Sequence, residues 1–231
     1  MNNEELLSEA AARLEPLLPK IVFAGGCATG MLITDPAAAP VRLTNDADVI
    51  AEISSYSEYI EFSERLRVLG FVEDQSQGAP LCRWKHGRLT VDVMPLDEKV
   101  LGFSNPWYPA AMAAATEHEL ENGLLIRMVT APYFLATKFE AFRGRGRGDF
   151  LASHDLEDII AVVDGREELL KELRHAEAGV RAFVGEQIAE LSSDATFENA
   201  LEGFLPGDPA SQARVPLLQR RLRALADVGG E

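Results

Sequence analysis

The chain is short of the residues that staple or anchor proteins. Among 231 residues there are only two cysteines, Cys27 and Cys82, and no C-x-x-C spacing. That excludes a disulfide framework and a thiolate zinc finger, and predicts two reduced, buried thiols in a cytoplasmic protein. The four histidines, His86, His118, His154 and His175, form no H-x-x-x-H pair, so a histidine-rich zinc helix is excluded as well. No apolar run approaches the roughly 20 residues that cross a bilayer. The opening MNNEELLSEAAARLEPLL is acidic and amphipathic, unlike the basic-then-apolar pattern of a signal peptide, so no membrane role is expected. Positive charge is scarce too: 22 Lys+Arg face 37 Asp+Glu, a net charge of −15. Proteins that grip nucleic-acid backbones usually carry the opposite sign. Nucleic acid would therefore depend on a local patch, the best being Arg143, Arg145 and Arg147. Arg220, Arg221 and Arg223 read as the solvated face of a C-terminal helix. Neither the P-loop pattern nor G-x-G-x-x-G is present.

What is there suits one large domain, or a domain with a smaller helical companion. Residues 4–18 place Leu6, Leu7, Leu14, Leu17 and Leu18 at helical spacing, with Pro19 as the stop. IVFAGG reads as a strand and tight turn, and 27–33 as the start of a helix behind it. TDPAAAP is a loop by its prolines. Residues 47–53 read as a buried strand and 56–69 as an amphipathic helix. LCRWKHGRLTVDVM predicts two strands joined at His86-Gly87, with Leu89, Val91 and Val93 on one face and Asp92 on the other. LDEKVLGFSNPWYP is irregular and aromatic, and Phe103, Trp107 and Tyr108 read as packing or lid residues. Residues 123–129 predict one more strand. From Thr130 the pattern turns helical, interrupted by a GRGRGD loop. The expected architecture is α/β (α+β) over 1–130, with a mixed sheet, followed by a helical domain over 131–231.

The chemistry is carried by acids and glycines. Asp46 and Asp48 stand two apart at the start of an apolar strand, so both point to one face. Burying them unpaired would be costly. Parallel carboxylates make a hard-oxygen site for Mg²⁺. Asp92, central in TVDVM, adds a third acid from another strand, and three carboxylates can hold two ions ~3.5–4 Å apart for in-line phosphoryl transfer. Gly25 and Gly26, between strand and helix, allow backbone N–H groups to approach a phosphate.

FAGGCATGMLI, LTNDADVIAEI and LTVDVM together resemble the DNA polymerase β-type nucleotidyltransferase superfamily, with its hG[GS], [DE]h[DE]h and third strand acid. LATKFEAFRGRGRGDFLASHDLEDIIAVV resembles the AbiEii/MenT-like toxin branch of type IV-like toxin–antitoxin systems. The resemblance spans roughly residues 20–165, discontinuously. It implies a nucleotidyltransferase fold whose helical domain closes the nucleotide cleft. Gly25 and Gly26 would hold the triphosphate; Asp46, Asp48 and Asp92 would bind two Mg²⁺ ions. Lys138 would reach triphosphate oxygens and act in catalysis, and Asp155 and Asp158 would support the lysine or nucleotide end. Arg42 and Thr44 lead into the acidic pair as in the branch, whereas His154 stands where the branch has Arg. The implied reaction moves a nucleoside monophosphate from an NTP to an acceptor hydroxyl on a tRNA 3′ end, a protein or a small molecule, with a cognate antitoxin as a further partner. A catalytically quiet nucleotide- or partner-binding module and a two-metal phosphohydrolase remain open alternatives.

Overall fold

In a computed structural model the described residues are 2–145 and 150–229, without the Arg145 side chain. They divide into two compact units. One takes residues up to Ala28 together with Leu43–Thr130; the other takes Thr29–Arg42 together with the chain from Ala131 onward.

The first unit is built on a seven-stranded mixed sheet. Its strands are β1 (Ile21–Ala24), β2 (Ala47–Ala51), β3 (Val72–Glu73), β4 (Arg83–His86), β5 (Leu89–Met94), β6 (Thr116–Glu119) and β7 (Leu125–Met128), in the order β3-β4-β5-β2-β1-β7-β6. The central strands β1, β2 and β5 are the apolar runs IVFA, ADVIA and LTVDVM, buried nearly throughout, as interior strands must be. β2 runs antiparallel to β1 and parallel to β5, while β1 and β7 are parallel. The two outer pairs, β3–β4 and β6–β7, are antiparallel. Their outermost strands, β3 and β6, were illegible as patterns, because Thr116–Glu119 is the polar run TEHE and β3 has only two residues, both exposed.

Helix α1 (Asn3–Arg13) starts with a reciprocal capping box: Asn2 Oδ1 accepts from Glu5 N and Asn2 N donates to Glu5 Oε2, both 2.8 Å. It ends earlier than the leucine spacing predicts. Pro16 has no N–H and its ring opposes a continuing α-helix, so Glu15–Lys20 tightens into a 3₁₀ turn with Pro19 inside it. Helix α2 (Gly25–Leu32) follows β1, and α3 (Tyr56–Val68) is capped by Ser55. The stretch expected to be irregular holds two short helices, α4 (Glu98–Leu101), capped by Asp97, and α5 (Tyr108–Ala113).

The second unit is helical: α6 (Ala131–Arg145), α7 (His154–Gly165), α8 (Leu169–His175), α9 (Ala178–Ser192), α10 (Ala195–Ala200), α11 (Pro209–Gln212) and α12 (Val215–Val228). Gly144 and Arg145, expected in the GRGRGD loop, close α6. Gly146, Arg147, Gly148 and Asp149 lie outside the described residues, and with them the Arg147 part of the basic patch. Helices α9 and α12 approach closely where Gly185 meets Gly229. Arg221, expected to face solvent, instead donates to the carbonyls of Val163 and Asp164 at the end of α7, while Arg220 and Arg223 are exposed. Among the described residues no helix is long and apolar enough to cross a membrane. Neither cysteine is in a disulfide, and both are buried.

Candidate functional site

Strand register assembles the acids of the first unit. In the β1–β2 ladder Asp48 lies opposite Ala24, the residue just before the glycines. In the parallel β2–β5 ladder Asp48 lies beside Asp92. Their side chains thus emerge side by side on one face, because neighbouring residues in register share the pleat. Asp46, two residues earlier on the same face, is steadied by Thr44, whose Oγ1 donates to Asp46 Oδ1 at 2.8 Å.

Gly25 completes this edge. Its φ is +66°, a left-handed conformation in which a side chain is strained. Space forbids one as well: a Cβ at Gly25 would overlap the Asp48 carboxylate and lie 2.6 Å from Asp48 Cβ. The Asp48 side chain therefore lies directly against the first residue of α2, at the positive end of the helix. Gly26 follows it in the first turn and is buried.

One residue of this cluster was not anticipated. Arg83, first in β4, sits opposite Asp92 in the β4–β5 hairpin. Its Nε donates to Asp92 Oδ1 at 2.8 Å, and its Nη2 donates to Asp92 Oδ2 and Asp46 Oδ2, each at 2.7 Å. Such forked, charge-assisted bonds are the strong class. They hold the guanidinium firmly protonated: the Asp92 hydrogen bonds are the largest cause, burial opposes them, and the charges of Asp92 and Asp46 add to the effect. The hairpin carried the clue. The turn residues are Gly87-Arg88 rather than His86-Gly87, because Gly87 with φ +61° suits the first central position of a tight hairpin. His86 then pairs with Leu89, and counting outward brings Arg83 opposite Asp92.

Cys82 precedes Arg83 and is buried; burial first, then the charges of Asp92 and Asp48, push its thiol up to about 12. It is neutral at ordinary pH.

The donor chemistry suits a hard divalent cation: Asp48 and Asp92 on two adjacent strands, with Asp46 just before β2, already draw a cationic group between Asp46 and Asp92. Their present arrangement closes around that group. Among the described residues no set of three or more His, Cys, Asp or Glu side chains stands ready to hold an ion.

The second unit gathers the other sequence-derived residues. Asp155 and Asp158 share a face of α7, which Ser153 caps by accepting from Leu156 N at 3.3 Å. Lys138 of α6, buried to 8% exposure, reaches Asp155 Oδ1 at 3.1 Å and Asp158 Oδ2 at 2.7 Å. Arg42 adds a fork to Asp158, Nε to Oδ1 at 3.0 Å and Nη2 to Oδ2 at 2.9 Å. Burial alone would lower the Arg42 pKa; the Asp158 bonds and charge outweigh it and raise it. Two acids and two cations thus form a largely buried, paired network in which Lys138 is held by carboxylates.

No family model matches the chain, and no curated protein matches it in sequence. Among solved structures the chain is similar to one from H. pylori named as a candidate nucleotidyltransferase. The identity is 10%, the match covers 99% of this chain and 95% of that one, and the TM-score is 0.48.

Proposed function

We propose that the protein is a metal-dependent nucleotidyltransferase that moves a nucleoside monophosphate from an NTP to an acceptor hydroxyl, releasing pyrophosphate. One observation carries the reading: Asp48 stands in register with Asp92 while its carboxylate rests on Gly25 at the start of α2. Carboxylates and helix N–H groups side by side are what an NTP needs, since its phosphates require hydrogen-bond donors and its charge requires a cation. The sequence resemblance to the polymerase β-type superfamily names the same residues.

In this reading Asp46, Asp48 and Asp92 hold Mg²⁺. A bound ion would supply Lewis-acid stabilisation of charge on the phosphoryl oxygens. The protein's own part is positioning. Gly25 and Gly26 let backbone N–H groups meet the triphosphate, and Thr44 fixes the Asp46 rotamer. Asp92 is the acid placed to accept the proton of the acceptor hydroxyl once Arg83 leaves its oxygens. Lys138 is assigned by resemblance to the triphosphate oxygens, and Asp155 and Asp158 to the support of the lysine or nucleotide end. The acceptor class is a tRNA end, a protein or a small molecule. The net charge of −15 favours a protein or a cationic small molecule over a polyanion. A role as the toxin partner of an antitoxin belongs to the same proposal.

The capture of both Asp92 oxygens by Arg83 favours one second reading, a nucleotide- or partner-binding module without turnover. Both are tested by incubating wild type and Asp48→Asn with each α-³²P-labelled NTP, Mg²⁺ and cell extract. Label transferred to RNA, protein or metabolite by wild type alone supports the transferase. NTP binding without label transfer or pyrophosphate release supports the quiet module. Equal labelling by the two proteins removes the mechanism.

A further inference from the structure

Arg83 is an unusual neighbour for a metal site. A hard divalent ion binds carboxylate oxygens directly, yet Arg83 takes both oxygens of Asp92 and one of Asp46 at 2.7–2.8 Å. The guanidinium occupies a lone pair on each of three carboxylate oxygens, and its positive charge repels a cation brought to the same cluster, so the two compete for the site. The arginine belongs to the fold, since β4 register places it opposite Asp92. The contact is partly open to solvent: the Arg83 and Asp46 side chains keep 25% and 29% of their exposure, while Asp92 keeps 11%. An arginine paired in this way stabilises a metal-free acid cluster that would otherwise suffer like-charge repulsion. It lowers the apparent metal affinity by the free energy needed to release it.

We propose that Arg83 is a resident cation latch: a divalent metal ion enters the site only by displacing the Arg83 guanidinium from Asp46 and Asp92. This rests on the reading that Asp46, Asp48 and Asp92 hold a metal, and adds a cost and an order to it. The displaced guanidinium then becomes a free planar donor beside the acids, suited to bidentate contact with a phosphate. Arg83 is a positioning residue of the metal-free state and governs when the acids become available.

The test is metal binding by the full-length chain without substrate, using Mn²⁺ followed by electron paramagnetic resonance and Mg²⁺ by calorimetry. Wild type, Arg83→Met, Arg83→Lys and Asp48→Asn are compared. Met keeps the stem and removes the competing charge, so Arg83→Met should bind Mn²⁺ at least tenfold tighter than wild type. It should also melt lower than wild type without metal and gain more on adding metal. Arg83→Lys, which keeps the charge but loses the fork, should fall between. Equal or weaker binding by Arg83→Met, with binding lost in Asp48→Asn, overturns the latch and leaves the metal site standing. No binding by wild type and Arg83→Met alike removes the metal reading and the latch together. If Arg83→Met does not fold, the Nε–H resonance of Arg83 in wild type, assigned by its absence from Arg83→Lys, decides the matter. It should move on Mg²⁺ addition and stay put in Asp48→Asn; a resonance unmoved when bound Mg²⁺ is saturating overturns displacement.

Discussion

Gly25 shows how much of the candidate site hangs on a single missing side chain. Two demands meet there: a left-handed φ of +66° and an Asp48 carboxylate that occupies the place of a Cβ. Gly25→Ala meets both. The conformational strain costs ~1–2 kcal/mol, and the methyl group must also push Asp48 out of register with Asp92. Gly78 is a natural control, with φ +84° and open space around the position. Gly78→Ala should lose the strain energy alone. Gly25→Ala should melt lower than Gly78→Ala and lose Mn²⁺ and NTP binding, which Gly78→Ala keeps; differential scanning fluorimetry with and without ligand separates them. The glycines and acids were legible because each is a local anomaly, a charge or a gap in an apolar strand context. Arg83 was not, because an arginine before a tryptophan on a polar strand looks ordinary until the hairpin register is known.

At the scale of elements, the central strands and the long helices followed from periodicity, while the edges did not. β6 is polar and exists through its pairing with β7, so its hydrogen bonds rather than its side chains define it. Helix α1 stops at a proline because of backbone chemistry, not because the leucine stripe runs out. The α6–α7 pair makes the opposite point: Lys138, Asp155 and Asp158 look like surface residues in sequence yet lie inside. Asp158 is 1% exposed and takes bonds from Lys138 and Arg42. Asp158→Asn would take the forked partner from Arg42 and one of two carboxylates from Lys138, and a broken buried pair costs ~3–5 kcal/mol. Glu157 on the same helix, half exposed and 3.8 Å from Arg42, is the comparison. Glu157→Gln should change stability by less than ~1 kcal/mol, the range for exposed ion pairs. Urea unfolding of the two variants checks the contrast, and similar losses would mean that water reaches the Asp158 network.

At the scale of the whole chain, the segment 29–42 is where sequence order and structure part company. TDPAAAP reads as a proline-rich loop, and it has no regular structure beyond the end of α2. Its contacts give it a larger part within the helical unit. Arg42 forks onto Asp158, and Asp35 Oδ2 accepts from Arg214 Nη2 at 2.7 Å. Thr34 Oγ1 donates to Glu168 Oε2 at 2.8 Å, and Leu32 O accepts from Arg166 Nη1 at 2.8 Å. The backbone N–H groups of Thr34 and Asp35 both reach Gly165 O at 2.9 Å. They satisfy a carbonyl at the end of α7 that would otherwise be an orphan. Ile33 lies so close to Gly165 that a Cβ there would meet its Cδ1 at 2.7 Å. A fragment of residues 131–231 would keep every helix of this unit from α6 onward and lose all of these partners at once. Asp158 would lose its arginine, Arg214 one of its two carboxylates, and α7 its C-terminal cap. Since net stabilities are only ~5–15 kcal/mol, the fragment should show helical circular dichroism without a cooperative urea transition. Joining residues 29–42 to its N-terminus through a flexible Gly/Ser linker should restore cooperativity. A sharp transition in the fragment alone would show that the segment decorates the helical unit rather than completes it.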